Sequence, residues 1–227
     1  MNCAASGLVC SENRIARLMR WQGMRARARK PFRPKTTRAD HAARPSPNLL
    51  AAAAAPQAPG THLVSDITYI PTREGWLYLA VVIDLFSRTI LAWKLSSSLQ
   101  AEIVRGALQR ALGTGLIKQN ALFHSDRGCQ YSAGETRQLL ARHGLRQSMS
   151  AAGHCYDNAF AESVFASLKA ELPHDGQPFA SIRAAQSALF DYLETFYNRT
   201  RRHSALGYQS PRAFLNHYFQ NQNPSLN

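Results

Sequence analysis

Three β-branched, apolar segments follow one another between His62 and Ser96, and they constrain the fold more strongly than any other feature. "HLVSDITYIP" alternates between apolar and polar residues, "LYLAVVIDLFS" is almost continuously apolar, and "RTILAWKLS" has the same character. Segments of this kind, separated by turn residues such as "EGW", are typical of neighbouring strands. We therefore predict an antiparallel meander of three strands.

The residues after the meander alternate between helix and strand. "AEIVRGALQRALGTG" is typical of an amphipathic helix that ends at glycine, and "ALFHSD" has the composition of a fourth strand. A right-handed helical crossover would place this strand parallel to the first one. Further helices are predicted over residues 132–143, 157–171 and 181–197. The sequence thus predicts an α/β body whose mixed sheet carries helices on both faces.

The positive charge of the chain is concentrated near its beginning. Lysine and arginine number 27 against 14 acidic residues, and residues 1–60 hold 11 of the basic residues but only 2 of the acidic ones. A basic arm on a nearly balanced body indicates a polyanionic partner, most often nucleic acid. A solubilising tail and a contact with anionic lipid are the alternatives.

The arm itself, residues 1–45, divides into a helical and an extended part. "SENRIARLMRWQGMR" starts with a serine cap and places Ile15, Leu18, Met19 and Gln22 on one stripe. "RARARKPFRPKTTR" has no periodicity, so it is expected to lie extended along phosphates or to be a disordered tail. The candidate DNA contacts of the arm are Arg14, Arg17, Arg20, Arg25, Arg27, Arg29 and Lys30. Residues 46–60 read as a Pro/Ala-rich linker, with one helical turn at Leu49–Ala55.

Several function classes are disfavoured by what the sequence lacks. Its apolar runs are too short and too broken to span a bilayer, and its first residues do not resemble a secretory signal. The four cysteines form no CxxC pair, so neither a zinc site nor a disulfide framework is expected. We expect a cytoplasmic protein that does not enter a membrane.

Three carboxylates are placed where neighbouring strands and a helix start would meet. Asp66 lies in the first strand, Asp126 closes the fourth strand, and Glu162 lies in the first turns of the helix "DNAFAESVFASLKAEL". Ligands of α/β sheets gather at such strand ends. Clustered carboxylates repel one another unless a cation is bound, and Mg²⁺ prefers hard oxygen ligands. Together with the basic charge, this predicts two-metal hydrolysis of phosphodiesters, with Arg127 beside the scissile phosphate.

Each of these residues also has an ordinary explanation when it is taken alone. A single aspartate at a strand end is usually a turn former, and Glu162 could be a surface residue of a helix. Asp84 is a rival ligand, because a tight turn after the first strand would put it diagonal to Asp66 on the same face. We expect Asp84 to be structural. His124, His154 and His203 are read as loop residues or DNA contacts.

Four segments together resemble one protein family. These are "SDITYIPTREGWLYLAVVIDLFSR", "HSDRGCQY", "SMSAAGHCYDNAFAESVFASLKAEL" and "YNRTRRHSALGYQSPRAF". They are similar to the integrase core of bacterial insertion-sequence transposases of the two-frame (OrfB-type) group, which are related to retroviral integrases. Between Asp126 and Glu162 lie 35 residues, which is the spacing that defines this group. The resemblance covers residues 61–218 as a catalytic core with C-terminal helices, and leaves 219–227 as a tail.

The resemblance implies a fold, a reaction and roles for particular residues. The fold would be ribonuclease-H-like, with a five-stranded mixed sheet. Asp66, Asp126 and Glu162 would form a catalytic DDE triad that binds Mg²⁺, or Mn²⁺ as a substitute, and Lys169 would contact the DNA end. The enzyme would cleave DNA at the terminal inverted repeats and join the freed 3′-OH to target DNA.

The resemblance also implies partners and leaves two other functions open. DNA, further copies of the chain and the product of the upstream frame are the expected partners, in a nucleoid-associated setting. The run "HLVSD" lacks the tryptophan that usually precedes the first aspartate, and the N-terminal section is short for the family. A catalytically idle fragment that competes for DNA ends and a nonspecific nuclease of the same fold are the alternatives.

Overall fold

A five-stranded mixed sheet organises the larger part of the molecule. The structure is a computed structural model that describes residues 11–24, 45–151, 159–172 and 177–222. The strands lie in the order β3-β2-β1-β4-β5, and their bounds are β1 (His62–Thr72), β2 (Gly75–Asp84), β3 (Ile90–Ser96), β4 (Leu122–Ser125) and β5 (Arg146–Met149). β1, β2 and β3 are antiparallel, whereas β4 and β5 run parallel to β1. The predicted meander and the parallel fourth strand are confirmed.

A tight turn sets the register of the meander. Thr72 is paired with Gly75, so that only two residues connect β1 to β2. Gly75 has a φ of 125°, a conformation that side chains other than hydrogen rarely permit. This register pairs Asp66 with Val81 and Val64 with Ile83, and it places these four residues on one face of the sheet.

Helices cover both faces of the sheet. The helices after the meander are α2 (Ala101–Leu112), α3 (Cys129–Ser132), α4 (Gly134–Arg142), α5 (Ala159–Glu171), α6 (Ile182–Phe190) and α7 (Pro211–Gln222). α2, α3 and α4 pack with Leu63 and Val82 in one hydrophobic core, and α5 and α6 pack with Val64 and Val81 in the other. The core that includes α5 therefore lies on the face of the sheet that carries Asp66.

Several predicted boundaries were wrong for local reasons. The helix predicted over 132–143 is broken at Ala133 into α3 and α4, and the one predicted over 181–197 becomes a π-helix from Asp191 to Tyr197. β5 was not predicted, because its four residues, "RQSM", contain only one apolar side chain. The predicted tail at 219–227 begins inside a helix, since α7 continues to Gln222.

Residues 46–60 were predicted to be a linker, but this segment packs against the sheet. The backbone N–H groups of Leu49 and Leu50 donate to Oγ of Ser148 at 2.9 and 3.2 Å. The N–H of Met149 donates to the carbonyl of Pro47 at 3.3 Å. The segment contains turns and bends rather than the helical turn expected at Leu49–Ala55. It belongs to the second of two compact units, which are Met1–Pro34 and Lys35–Asn227.

The first unit contains the predicted amphipathic helix, α1 (Glu12–Trp21). Oγ of Ser11 accepts a hydrogen bond from the N–H of Arg14, which caps the helix as predicted. Arg14, Arg17 and Arg20 are exposed, and the helix buries no residue. The remaining predicted arm contacts, Arg25, Arg27, Arg29 and Lys30, lie outside the described residues. In the described parts of the chain no helix has the length and apolar character needed to cross a membrane.

Candidate active site

Asp66 and Asp126 meet where β1 and β4 separate. The parallel pairing of the two strands ends with Val64 opposite His124, and each aspartate lies two residues further along its own strand. Both line a small cavity of about 30 Å³, together with Gln130 and Tyr131. The register of the sheet, rather than a flexible loop, therefore brings the two carboxylates together.

Hydrogen bonds from backbone N–H groups orient both carboxylates. Oδ1 of Asp126 accepts the N–H of Gly128 at 2.9 Å, and Oδ1 of Asp66 accepts the N–H of Ile67 at 2.8 Å. A side chain at Gly128 would place its Cβ 3.0 Å from Oδ1 of Asp126 and 3.0 Å from Oε1 of Gln130. The glycine in "SDRG" thus leaves the space in which the Asp126 carboxylate lies.

The electrostatic environment of Asp66 links all three predicted carboxylates. Burial raises its pKa from 3.8 to about 8, and the charge of Asp126 contributes to this rise, while the N–H of Ile67 opposes both. Glu162 raises this pKa as well, and the ammonium of Lys169 lowers it. A carboxyl group that retains its proton so far above its usual range is in a site where a further positive charge would be stabilising.

Glu162 and Lys169 reach this site from α5. The helix buries Val164 and Leu168, and it leaves Glu162 and Lys169 exposed. Nζ of Lys169 lies 4.4 Å from the centre of the Tyr69 ring on β1. Although much of the residue is exposed, desolvation of the ammonium lowers the pKa of Lys169, whereas the charge of Asp66 raises it. Leu172, directly after the helix, is buried as well, whereas Phe160 is only partly buried.

The three carboxylates do not form a closed ligand cage. Among the described residues, no three His, Cys, Asp or Glu side chains are positioned to hold one metal ion together. The close pair is Asp66 and Asp126, and Glu162 acts on it at longer range. Mg²⁺ usually takes one or two protein carboxylates and completes its octahedron with water and substrate phosphate. The carboxylate pair, in which the pKa of Asp66 is raised, fits such an ion.

A buried polar network joins the residues on either side of Asp126 to Ser148 and Ser150, and the sequence patterns did not predict it. The ring nitrogens of His124 lie 2.8 Å from Oγ of Ser148 and 3.1 Å from Oγ of Ser150. Nε of Arg127 donates to the carbonyl of Ser150 at 2.7 Å. His124 is fully buried, so its interpretation as a loop residue or DNA contact was wrong. Its position two residues before Asp126 on an alternating strand was the available signal.

Tyr131 closes the opposite side of the same cavity. Its hydroxyl lies 3.0 Å from Oγ of Ser65, and the side chain is buried. Burial raises the pKa of Tyr131, and the charges of Asp66 and Asp126 raise it further. This phenol therefore stays protonated beside the carboxylates.

Asp84 does not join the site. It is paired with Leu63, three positions from the Asp66–Val81 pair, and so it lies on the opposite face of the sheet. The prediction that it would share the face of Asp66 was wrong, because the two-residue turn sets a different register. Its carboxylate accepts hydrogen bonds from the N–H groups of Gly60 and Ser87, each at 2.9 Å. The expected structural role of Asp84 is confirmed.

Comparison with known proteins assigns the chain to a family. The integrase core domain family matches residues 56–155, and a second integrase core domain family matches residues 143–211. Transposase InsF for insertion sequence IS3A from Escherichia coli strain K12 is 44% identical over 212 residues, which cover 93% of this chain and 73% of that protein. The chain belongs to the insertion-sequence transposases with an integrase core. An insertion element IS600 31 kDa protein from Shigella sonnei is 40% identical to this transposase over 218 residues, covering 96% of this chain and 79% of that protein.

Solved structures confirm the fold of the transposase. The simian T-cell lymphotropic virus intasome in complex with PP2A regulatory subunit B56 gamma contains a chain that superposes with a TM-score of 0.54 at 13% identity, covering 78% of this chain and 60% of that one. The catalytic core domain of BIV integrase superposes with a TM-score of 0.50 at 16% identity, covering 72% of this chain and 99% of that one. The predicted ribonuclease-H-like integrase core is therefore correct.

Family membership also confirms the class of reaction. The transposase is an enzyme of DNA transposition, a nucleotidyl transferase of the DDE type with a retroviral-integrase-like core. Members of this family depend on divalent metal ions, bind DNA and form oligomers. The resemblance stated from four sequence segments was thus correct.

Proposed function

We propose that Asp66, Asp126 and Glu162 are the catalytic carboxylates with which this transposase cuts DNA at the ends of its element and joins the freed strand to a target. The observation that supports this most strongly is electrostatic. Burial raises the pKa of Asp66 most, and the charges of Asp126 and Glu162 raise it further, although 35 residues separate those two along the chain. Electrostatic repulsion among three carboxylates that are distant in the sequence is typical of a site that binds cations.

The carboxylates hold the reacting groups in place. Mg²⁺ bound at Asp66 and Asp126, with Glu162 completing the site and Mn²⁺ as a substitute, would make the attacking hydroxyl more acidic and stabilise the leaving oxygen. The N–H groups of Ile67 and Gly128 fix the orientation of the two aspartates on rigid strand ends. Because the supports are backbone groups, the site is preorganised before DNA arrives.

Two successive reactions use the same arrangement. In the first, water attacks the phosphorus at the element end, and the bond to the 3′ oxygen breaks, which leaves a free 3′-OH. In the second, that hydroxyl attacks a phosphodiester of the target, so one phosphodiester is exchanged for another and no high-energy cofactor is needed. Lys169 reaches the DNA end from α5, and its position over the Tyr69 ring supports this role.

Further contacts hold the DNA outside the site. We assign Arg127 and the basic residues of the first unit to the phosphate backbone, which they would bind without sequence preference. The exposure of Arg14, Arg17 and Arg20 on α1 supports this for the described part of the unit. One active site for each DNA end calls for at least two copies of the transposase in the reacting complex. The product of an upstream frame is the proposed additional partner, and the bacterial nucleoid in the cytoplasm is the proposed location.

A strand-transfer assay tests the proposal directly. Wild type, Asp126→Asn and Asp191→Asn are compared on a labelled duplex that carries the element's terminal sequence, with and without Mg²⁺. Asp191 is an exposed carboxylate at the end of α6, so its variant matches the loss of charge away from the site. We expect Asp126→Asn to lose at least about a thousandfold in joining rate and the control to keep its activity. Equal activity of wild type and Asp126→Asn would refute the assignment, and cutting without joining would indicate a nonspecific nuclease.

A further inference from the structure

A basic groove runs along the side of α5 that carries Ser163 and Ser167 rather than Glu162 and Lys169. It has a volume of about 490 Å³ and lies between α5 and the C-terminal segment that begins at Tyr197. Ser163 and Ser167 line it from the helix, while Arg88, Arg201 and Arg202 line it from the other walls. None of the residues so far assigned to the reaction lies in this groove.

Arg88 is held in the groove by the turn that connects β2 to β3. Oδ2 of Asp84 accepts the N–H of Ser87 at 2.9 Å and its hydroxyl at 2.6 Å. The N–H of Asp84 donates to the carbonyl of Thr89 at 2.9 Å, which closes the turn around Arg88. Arg88 itself has a φ of 63°, which is unusual for a residue with a long side chain. The buried carboxylate of Asp84 therefore fixes a strained turn whose tip carries one arginine.

The guanidinium of Arg88 has a ring beside it but no acidic partner. It lies 4.2 Å from the centre of the Phe160 ring, and among the described residues it makes no ion pair. Burial lowers the pKa of Arg88, while Tyr197 and Asp84 raise it. The groove thus holds a partly desolvated guanidinium. Its free N–H groups could donate two parallel hydrogen bonds to the oxygens of one phosphate.

The other cations of the groove divide into free and neutralised groups. Nε and Nη2 of Arg201 donate to the carboxylate of Glu171 at 2.9 to 3.1 Å, so this charge is balanced. His203 carries no charge at neutral pH, because burial and the neighbouring Arg201 and Arg88 lower its pKa to about 4. Arg202 is exposed and makes no ion pair within the described residues. The net positive charge of the groove therefore comes from Arg88 and Arg202.

We infer that this groove binds the phosphodiester backbone of the same DNA duplex whose end reaches the carboxylates, and that Arg88 and Arg202 are its phosphate contacts. The inference rests on the proposed function and adds a second anchor for the donor duplex. The hydroxyls of Ser163 and Ser167, one helical turn apart, face the groove and can donate to the same backbone.

α5 is narrow enough for one DNA duplex to contact the groove and the carboxylates at the same time. Glu162 and Ser163 are neighbours in the sequence, so the groove and the catalytic face are separated by no more than the width of a helix, about 10 Å. Duplex DNA carries one phosphate charge for about every 1.7 Å of its axis. A duplex that places a phosphate at Asp66 and Asp126 therefore carries other phosphates past α5 before any target DNA is bound.

DNA binding in the presence of Ca²⁺ tests the inference without requiring catalysis. The probe is a fluorescent duplex of about 30 base pairs that ends in the sequence bordering the element, titrated with the full chain at several salt concentrations. The test variant is Arg88→Gly with Arg202→Ala, because glycine adopts the backbone conformation of Arg88 without strain. The control is Arg142→Ala with Arg110→Ala, which removes the same charge from α4 and α2 on the opposite face of the sheet.

The groove variant is expected to bind the duplex about tenfold more weakly, and its salt slope should fall by about 1 to 2, since two phosphate contacts are lost. The control should keep the affinity and slope of the wild type. Equal affinity of the groove variant and the wild type would overturn the inference. So would a defect that occurs only when a plasmid target is added to a precut end, because the groove would then serve target DNA.

The outcome is separable from that of the proposed function. If Asp126→Asn joins strands as well as wild type, the catalytic assignment fails, and the binding defect of the groove variant still decides the role of the groove. Arg88→Lys with Arg202→Lys supplies a second variant. It keeps the charge but not the bidentate geometry, so we expect it to recover the salt slope and only part of the affinity.

Discussion

Asp66 and Asp126 lie side by side because each is two residues beyond the last backbone pair of β1 and β4, Val64 and His124. Burial and the neighbouring carboxylates together raise the pKa of Asp66 to about 8. Ionisation of Asp66 is therefore unfavourable in the metal-free site, and a bound cation would make it favourable.

Replacing Asp66 with asparagine should stabilise the metal-free protein at high pH. In the unfolded chain the Asp66 carboxyl ionises near the ordinary aspartate pKa of 3.8, whereas in the folded protein it keeps its proton up to about pH 8. Folding therefore takes up a proton between these values, and the stability of wild type falls as pH rises through this window. In EDTA we expect Asp66→Asn to melt about 3 °C or more above wild type at pH 8 and at the same temperature at pH 4. An equal difference at both pH values would contradict the shifted pKa.

Added Mg²⁺ should raise the melting temperature of wild type but not that of Asp66→Asn, which removes the advantage of the variant at pH 8. A cation that binds the folded state raises its melting temperature in proportion to the logarithm of its concentration. We expect millimolar Mg²⁺ at pH 8 to stabilise wild type and Asp191→Asn, and to leave Asp66→Asn and Asp126→Asn unchanged. Thermal melting followed by calorimetry is the measurement, and stabilisation of all four proteins alike would argue against metal binding at the pair.

Removal of the Lys169 ammonium should weaken binding of the DNA end while the fold is retained. Lys169→Met keeps the apolar stem beside Tyr69 but removes the charge that lies over its ring. We expect about a fivefold to tenfold loss of affinity for a terminal duplex, and a melting temperature within about 2 °C of wild type. Lys118→Met is the matched control, because Lys118 is an exposed lysine in the connection before β4. Unchanged affinity of Lys169→Met would refute this role.

Deletion of the first unit should flatten the salt dependence of DNA binding. The cut belongs after Pro34, where the first compact unit ends, because residues 45–60 pack against β5 through Ser148. The shortened protein should fold, and its plot of log affinity against log salt should be shallower by at least about 2, since several phosphate contacts are lost. A longer deletion to residue 56 should in addition lower the melting temperature, because the Ser148 hydroxyl loses both backbone donors. Equal slopes with and without residues 1–34 would count against the arm as a DNA contact.

His203 should make the protein sensitive to acid. Its folded-state pKa is lowered from 6.5 to about 4, mainly by burial and then by Arg201. The unfolded chain therefore binds a proton below about pH 6.5 that the folded protein resists, so stability falls as pH drops from 6.5 to 4. In His203→Gln this decline should be shallower, whereas His217→Gln, at an exposed histidine of α7, should follow the wild type. Melting temperatures measured between pH 4 and 7 decide the question.

Local patterns were sufficient to predict many of the elements. The alternation in β1, the continuous apolar run of β2 and the glycine after α2 each depend on neighbours within a few residues, so the sequence shows them directly. β5 and the break at Ala133 could not be predicted in this way. β5 is a strand because β4 supplies its hydrogen bonds, and its own four residues carry almost no strand signal.

The sequence by itself determined the fold class and, through its four family segments, gave the prediction that Asp66, Asp126 and Glu162 are the catalytic carboxylates. Only the tertiary structure decided that Asp84 faces away from Asp66, that His124 is buried between Ser148 and Ser150, and that the predicted linker at 46–60 packs against β5. It also decided that Asp84, a rejected ligand, fixes the turn that presents Arg88. The physical reason is that strand register, burial and long-range hydrogen bonds join residues that are far apart in the chain, and no local pattern records which partner each one meets.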